Sequence, residues 1–419
     1  MPQSTVEQIH QRFGSEFCVC PFLGAFYQSH RVVGHVSKDT STIVPCSVFD
    51  WDGRSDTHDV INDSILDSVN TPVWRKVRQQ FTEGDYWNIS QCRTCHDAER
   101  MGGNAPRIGA LKHYVQHYHG DIIADIEQII AQDYKTHKIV SLDWYPSNYC
   151  NFSCVMCAGG ASSSRMTYEI KITRVDQEIV INSVTDDFFS VLRDVEIINF
   201  TGGETAMQPQ VRDMIQYLVN NNMAKNKTVF LLTNASNFDD QMEKMLSAFH
   251  CVVFMCSIDG VGSVIEYQRR GADWLTVERN SLRILKHPHI RSVINIVVTA
   301  VNAPGLADFV DWLYANDVVN GVSVSPVFRA EHLMLSAMPP ELRDKILTRL
   351  LQQHADYMAL DTEVSQNCVR VLDALISVIR NSDAFDQSVF KRFRAKIRLE
   401  DHHSQTPLAL AVPDWAPYL

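Results

Sequence analysis

The middle of this chain alternates short β-branched runs with longer amphipathic segments. The runs that fit strands are KIVSLDWY, EIINFTGG, KTVFLLTN, CVVFMCSIDG, SVINIVVTAV and GVSVSPVF. The helical candidates between them are Gln210–Asn221, Asp239–Phe249, Trp274–Lys286 and Leu306–Tyr314. Strands that alternate with helices of this length predict an α/β fold with a parallel sheet and right-handed connections. Six such units can form an open barrel.

Polar or thiol-bearing residues follow four of the predicted strands, at the point where each strand ends. In chain order they are the cysteines of NYCNFSCVMC, Thr201–Glu204 (TGGE), Asn234 and Ser257–Gly260 (SIDG). The carboxyl ends of parallel strands meet at one edge, where the loops emerge and ligands collect. The sequence therefore predicts one site at that edge.

Three of the eleven cysteines, Cys150, Cys154 and Cys157, lie within eight residues. In a chain without an export signal, thiols are expected to stay reduced and to serve as metal ligands or nucleophiles. A structural zinc site needs four ligands, usually as two separated pairs, and no second pair completes this one within the predicted barrel. Three thiolates on one loop instead suit a four-iron cluster with one iron open to a small molecule.

The pattern Cys-x3-Cys-x2-Cys after the first strand, with Gly-Gly-Glu after the second, resembles the radical S-adenosylmethionine (radical SAM) superfamily. The resemblance implies a partial (β/α)6 parallel barrel in which Cys150, Cys154 and Cys157 hold a [4Fe–4S] cluster that binds S-adenosylmethionine. It also implies a reducing electron donor, such as flavodoxin or ferredoxin, and cleavage of S-adenosylmethionine to a 5′-deoxyadenosyl radical that abstracts hydrogen from a substrate. We assign no catalytic residue from the sequence.

By the same resemblance, the loops after the later strands contact S-adenosylmethionine. Gly202 and Gly203 let the backbone approach the ligand closely, and Glu204 offers an acceptor for its amino group. Side chains that can hydrogen-bond ribose or carboxylate are those of Asn234, Ser257 and Asp259.

The stretch EYQRRGADW, residues 266–274, resembles the family's Glu-Tyr-x-Arg segment. Arg269 matches the position that pairs with the methionine carboxylate, through a planar fork that suits a bidentate partner, and Arg270 is a close competitor. Relatives often carry an aromatic residue before the last cysteine, whereas this chain has Met156 there. The packing of the adenine ring is therefore left open.

A second dense group of cysteines lies in the first quarter of the chain. The segments FCVCPF, VPCS and CRTCHDAERMGGNAPR resemble the auxiliary-cluster module called twitch or SPASM, in an N-terminal placement. By that register, an auxiliary [4Fe–4S] cluster is held by Cys18, Cys46, Cys92 and Cys95. Cys20 is then spare, and Phe22 and Ser47 depart from the family pattern. The spacing is also compatible with zinc, for which His96 is an alternative ligand.

These motifs divide the chain into four segments. We expect a small cysteine-rich twitch/SPASM-like domain at residues 1–107 and a linker helix at 108–138. The radical SAM partial barrel is expected at 139–330, and a C-terminal helical extension with a tail at 331–419.

The net charge and the distribution of apolar residues indicate which kinds of binding partner the chain is suited to. A formal net charge of −11, from 38 basic and 49 acidic residues, disfavours extended nucleic acid. The basic run Lys391–Arg398 is typical of a solvated helix face. No run of eighteen apolar residues occurs and no signal peptide is recognisable, so we expect a cytoplasmic protein without a membrane partner.

The substrate class rests on the resemblance. Many relatives with such modules modify peptides or proteins, so a peptide or protein substrate is expected. One alternative is a radical SAM enzyme that acts on a nucleotide, sugar or other small-molecule substrate. Another is a zinc-stabilised binding module without catalytic activity.

Overall fold

The structure of the chain is a computed structural model. It describes residues 3–15, 20, 26–29, 42–44, 59–60, 65–100, 106–173, 189, 191–327, 330–402 and 406–419.

One nine-stranded sheet organises the molecule. Its strands are β1 Phe26–Ser29, β2 Thr42–Val44, β3 Asp59–Val60, β4 Ser141–Trp144, β5 Ile197–Phe200, β6 Thr228–Thr233, β7 Cys251–Ser257, β8 Ile290–Val298 and β9 Gly321–Pro326. Strands β4 to β9 are the six predicted ones, and each pairs in parallel with the next along the chain. The predicted α/β fold with a six-strand parallel sheet is confirmed.

Three short strands extend this sheet beyond β4. Strand β1 pairs in parallel with β4, and β2 and β3 follow in antiparallel pairing. The sequence analysis did not predict them, because strands of two to four residues are too short to show a period. The described strands of the N-terminal segment therefore belong to the same sheet as the barrel.

The helices lie before, between and after the strands along the chain. They are α1 Gln3–Phe13, α2 Ile65–Ser68, α3 Pro72–Thr82, α4 Arg93–Arg100, α5 Pro106–His117, α6 Ile122–Ala131, α7 Ser163–Thr173, α8 Pro209–Asn220, α9 Asp240–Leu246, α10 Gly262–Gln268, α11 Trp274–Leu285, α12 Leu306–Ala315, α13 Pro340–Met358, α14 Glu363–Arg380, α15 Gln387–His402 and α16 Leu408–Ala411. Each predicted crossover helix is present, although the one predicted to reach Phe249 ends at Leu246.

Local signals fix where the crossover helices begin. Proline is the first residue of α8, where its missing amide is not needed. The Asp239 carboxylate caps α9 by accepting from the Met242 amide at 2.7 Å, and Asp273 caps α11 in the same way. Strand β8 alternates buried residues with half-buried or exposed ones, as expected for a strand whose two faces have different surroundings.

The C-terminal extension packs against the barrel. Helix α14 lies against α12, α13 and strand β9, and α15 lies against two short 3-10 turns that follow β9. Trp415 is fully buried, and its indole donates to the Ala300 carbonyl at 2.9 Å. Within the described ranges, no helix combines the length and the apolar character needed to cross a membrane.

Candidate functional site

The three predicted cluster cysteines lie together on the loop that follows β4. Cys154 is buried, and Cys150 and Cys157 are half-buried. A tight turn brings the Cys157 amide to 3.0 Å from the Cys154 carbonyl, and the thiols of these two residues are hydrogen-bonded to each other. Cys150 is near enough to interact electrostatically with both. The structure therefore brings the triplet to one place at the carboxyl edge of the sheet.

Two neighbouring segments hold this cysteine loop by backbone hydrogen bonds. On one side, the amides of Ser153 and Val155 donate to the carbonyls of Arg270 and Gln268, at 2.8 and 2.9 Å. On the other side, the Gly203 amide donates to Ser147 at 3.1 Å, and the Glu204 amide donates to Tyr149 at 2.8 Å. The TGGE segment and the EYQRR segment therefore flank the cysteines.

Close packing of backbone explains both glycines of TGGE. A Cβ on Gly203 would lie 2.1 Å from the Tyr149 carbonyl oxygen, and one on Gly202 would lie 2.5 Å from that of Ser147. Gly202 also has a φ of +115°, which L residues rarely adopt. Both glycines are thus required by contact with the cysteine loop, whether or not a ligand also approaches them.

Glu204 is buried, and its carboxylate is bound by groups of the protein. It accepts from the Thr233 hydroxyl at 2.6 Å, the Asn234 amide at 2.5 Å and the Ala206 amide at 3.1 Å. Desolvation raises the pKa of this carboxyl to about 7, against the effect of these donors. Glu204 therefore ties the loop after β5 to the end of β6.

Arg269 forms a buried salt bridge beside the cysteines. Its Nε lies 2.7 Å from Asp259 Oδ2, and Asp259 Oδ1 accepts from the Val297 amide at 2.8 Å. The charge of Arg269 reaches the thiols, where it favours the ionised forms of Cys154 and Cys157. A cation held against two cysteines suits a site that must keep thiolates.

The thiols differ in acidity. Burial raises the pKa of Cys150 to about 11. The hydrogen bond between Cys154 and Cys157 raises the pKa of Cys154 and lowers that of Cys157. Three thiolates, one buried and two half-buried, are costly beside one arginine, so the donor set fits metal cations that supply the missing positive charge.

The kind of metal group can be tested against the geometry. Among the described residues, no three His, Cys, Asp or Glu side chains converge closely enough to hold one metal ion. An iron–sulfur cluster is larger than one ion, and each thiolate binds its own iron. The three thiols of this loop would match three thiolate ligands of such a cluster.

Asn234 and Ser257 lie at the ends of β6 and β7, at the same edge as the cysteines. The side-chain amide of Asn234 donates from Nδ2 to Asn151 Oδ1 at 3.0 Å, and the same nitrogen lies 4.0 Å from Cys150 Sγ. Ser257 is buried and is paired in register with Asn295 of β8. The seven residues predicted to contact S-adenosylmethionine thus lie on loops and strand ends around the cysteines, and their contact with that ligand stays a prediction.

The sequence analysis missed a buried ion pair behind the cysteine loop, between Arg165 and Glu400. The run Lys391–Arg398 was interpreted as a solvated face, and Glu400 was not singled out. Its spacing from Phe393 and Ile397, both buried, puts Glu400 on the apolar side of α15. That position was the one local signal available, because the partner lies 235 residues away.

The N-terminal cysteines are described in part. Cys92 ends the 3-10 turn that precedes α4, and Cys95 lies three residues further on, in the first turn of α4; Cys95 is buried and Cys92 half-buried. Burial raises the pKa of the Cys95 thiol. His96, the alternative zinc ligand, has Nε2 at 3.1 Å from the Tyr86 carbonyl. Cys18 and Cys46 lie outside the described residues, so the predicted four-cysteine set stays a prediction.

Comparisons with known proteins find similarity in the segment that contains the parallel strands. Residues 144–313 match the family model of the radical SAM superfamily. The mycofactocin maturase MftC of Mycobacterium ulcerans (strain Agy99) is 27% identical over 171 residues, which is 41% of this chain and 43% of that protein. The chain thus matches less than half the length of this curated relative.

Solved structures give coarser likenesses. The histidine-tagged protein anSMEcpe with bound AdoMet has a TM-score of 0.39 and 18% identity, over 52% of this chain and 59% of that one. Streptococcus suis SuiB bound to the precursor peptide SuiA has a TM-score of 0.35 and 13% identity, over 72% and 65%.

Proposed function

We propose that this protein, whose residues 144–313 match the family model of the radical SAM superfamily, is an enzyme that cleaves S-adenosylmethionine reductively and abstracts hydrogen from a peptide or protein substrate. The observation that carries the proposal is the meeting of Cys150, Cys154 and Cys157 on the loop after the first barrel strand. A carboxyl-edge loop is where ligands bind in parallel α/β folds.

In this proposal, Cys150, Cys154 and Cys157 hold a [4Fe–4S] cluster. When bound, the cluster supplies the electron that splits the sulfonium of S-adenosylmethionine, and the 5′-deoxyadenosyl radical follows from that cleavage. The chain supplies the thiolates, the cationic Arg269 beside two of them, and a dry setting from the buried side chains of Phe152 and Val155.

The residues around the cysteines retain capacity for a ligand. A carboxylate offers about four acceptor positions, and Glu204 uses three of them on protein donors, which leaves one for an ammonium group. A guanidinium carries five donor hydrogens, and Arg269 meets Asp259 in a salt bridge through Nε. In the proposal these two residues bind the amino and carboxylate groups of S-adenosylmethionine while they brace the loops.

We further propose that Cys18, Cys46, Cys92 and Cys95 hold an auxiliary [4Fe–4S] cluster. The spacing of Cys92 and Cys95 by three residues supports a shared metal group. Iron, sulfide and zinc analysis separates the two possibilities: about eight irons with matching sulfide supports two four-iron clusters, whereas about four irons with one zinc assigns zinc to the N-terminal site.

A peptide or protein substrate is proposed from the module resemblance, and the match to a protein named a maturase agrees with it. Mass spectrometry of candidate peptides incubated anaerobically with the enzyme, S-adenosylmethionine and a reductant would test this part. A mass change that depends on all three supports it, and turnover of a small metabolite alone would replace it.

The central test uses anaerobically reconstituted protein, dithionite and S-adenosylmethionine. The native chain should release 5′-deoxyadenosine, and Cys154→Ala should release none above background, because one cluster ligand is missing. Cys251→Ala is the matched control, since that thiol lies at the opposite end of β7. Equal product from the native chain and Cys154→Ala would overturn the assignment.

A further inference from the structure

A buried carboxylate on the C-terminal helix α15 binds two arginines of the cysteine-loop region. Glu400 is 1% exposed. Its Oε1 lies 2.9 Å from Arg165 Nη2, and its Oε2 lies 3.3 Å from Arg165 Nη1, so the contact is bidentate. Arg270 Nη1 lies 3.2 Å from Oε2 and donates to the Glu400 carbonyl at 2.8 Å. The extension therefore contributes a carboxylate to an ion-pair cluster beside the cysteine loop.

The two arginines support the cysteine loop from different sides. The Arg165 amide donates to Ser162 Oγ at 3.0 Å, and Ser162 Oγ donates to the Phe152 carbonyl at 2.5 Å, inside the loop. The Arg270 carbonyl accepts from the Ser153 amide, next to Cys154. Glu400 thus reaches the loop backbone through Arg270 on one side, and through Arg165 and Ser162 on the other.

Aromatic packing and further charges complete this cluster. The Tyr168 ring stacks against both guanidinium groups, at 4.8 Å from Arg165 and 5.8 Å from Arg270. Lys396 Nζ lies 3.4 Å from Glu400 Oε1. Arg165 Nε forms a second salt bridge with Glu169 Oε1 at 3.2 Å. Three cationic side chains therefore face Glu400. Their charge is offset by the carboxylates of Glu400 and Glu169, of which Glu400 is the fully buried one.

Glu400 holds a buried negative charge against two arginines whose backbone atoms hydrogen-bond towards the cysteine loop. A buried negative charge opposes the arrival of an electron nearby, and low-dielectric surroundings screen it little. Removal of the Glu400 charge would leave the arginines uncompensated beside the cysteines, and this would favour the reduced state of a cluster held there.

We propose that Glu400 is a positioning residue through which the C-terminal extension braces the cysteine loop and keeps the reduction potential of its cluster low. The proposal rests on the proposed function, because it presupposes a cluster on Cys150, Cys154 and Cys157. A low potential is what a one-electron reductant of a sulfonium requires. The extension is then part of the redox site and not only a covering layer.

The test compares anaerobically reconstituted native protein with Glu400→Gln, which keeps the side-chain length and removes the charge. Asp401→Asn is the matched control: Asp401 is the next residue of the same helix, and its carboxylate binds the Tyr267 hydroxyl and the Leu408 amide instead of the arginines. Potentiometric titration follows the electron paramagnetic resonance signal that S-adenosylmethionine perturbs, which separates this cluster from an auxiliary one.

We expect Glu400→Gln to shift the midpoint potential of that signal to a more positive value and to lower the yield of 5′-deoxyadenosine. Asp401→Asn should leave the potential unchanged. A potential in Glu400→Gln equal to that of the native protein would overturn the inference and leave the proposed function standing. Absence of any signal sensitive to S-adenosylmethionine in the native protein would overturn both.

If Glu400→Gln does not retain the cluster, its potential cannot be measured, and Glu400→Asp, which retains the charge, is used instead. Iron restored to the native level in Glu400→Asp supports the bracing role. Iron lost alike from Glu400→Gln, Glu400→Asp and Asp401→Asn would show that the helix supports folding in general, and this would overturn the specific role of Glu400.

Discussion

Buried charged side chains around the cysteine loop are each matched by protein groups. Arg269 is paired with Asp259, and Arg165 with Glu400. Glu204 is bound by a hydroxyl and two amides. Removing one partner of a buried pair leaves the other charge uncompensated, at a cost of about 3–5 kcal/mol. This region is therefore specified by polar contacts as much as by apolar packing.

Ionisation of Asp143 is unfavourable in the folded chain, because its carboxyl is removed from water. Asp143 lies in β4 opposite Asn199 of β5, and the Asn199 amide donates to its carboxylate. Desolvation raises the pKa of this carboxyl from 3.8 to about 7, more than the hydrogen bond lowers it. The folded chain therefore holds this proton more tightly than the unfolded chain does.

We predict that Asp143 makes the fold less stable as the pH rises from about 4 to about 7. Across that range the carboxyl would ionise freely in the unfolded chain but resists ionisation in the folded one. The free energy of unfolding of Asp143→Asn minus that of the native protein should therefore be larger at pH 8 than at pH 5. Urea denaturation of the metal-free chain measures both. Asp308→Asn, half exposed, is the control. A difference between native protein and Asp143→Asn that is the same at both pH values would contradict this.

At the level of elements, β-branched runs and crossover lengths predicted the six strands and their parallel order. The short strands β1–β3 have no comparable signal, and their place in the sheet depends on pairing with β4. The cysteine triplet was predictable because its ligands are local in sequence. The ion pair of Arg165 with Glu400 was not, because its members lie 235 residues apart and meet only through the packing of α15.

The contact between the loops after β4 and β5 is made by backbone on backbone, and it predicts a strict need for glycine at position 203. A methyl group on Gly203→Ala would collide with the Tyr149 carbonyl at 2.1 Å and push the cysteine loop away. We expect reduced iron content and reduced 5′-deoxyadenosine yield after reconstitution.

Gly321→Ala is the matched control for this variant, because its methyl group would meet only Val293, at 4.0 Å. It should load iron as the native chain does. Native iron content in Gly203→Ala would show that the two loops can separate without harm.

Across the whole molecule, the C-terminal extension is joined to the barrel by contacts spread along its length. Trp415 is fully buried and donates to Ala300 at 2.9 Å, and Ser263 of α10 donates to the Ala411 carbonyl at 2.7 Å. Together with Glu400, these contacts make the extension part of one cooperative core.

We predict that Trp415→Ala lowers the free energy of unfolding by about 3–5 kcal/mol, the usual cost of removing a fully buried large aromatic side chain. Leu410→Ala, in the same segment but 72% exposed, should change it by less than about 0.5 kcal/mol. Chemical denaturation followed by circular dichroism measures both. A small effect from Trp415→Ala would mean that the extension is only loosely attached.

The distance along the chain between Arg165 and Glu400 also orders events during synthesis. A ribosome adds about 5–20 residues per second, so the 235 residues that separate the two take roughly 10 to 50 seconds to appear. Throughout that interval the nascent cysteine loop lacks its C-terminal support. If the loop holds the proposed cluster, iron should therefore be retained best by chains that have already left the ribosome.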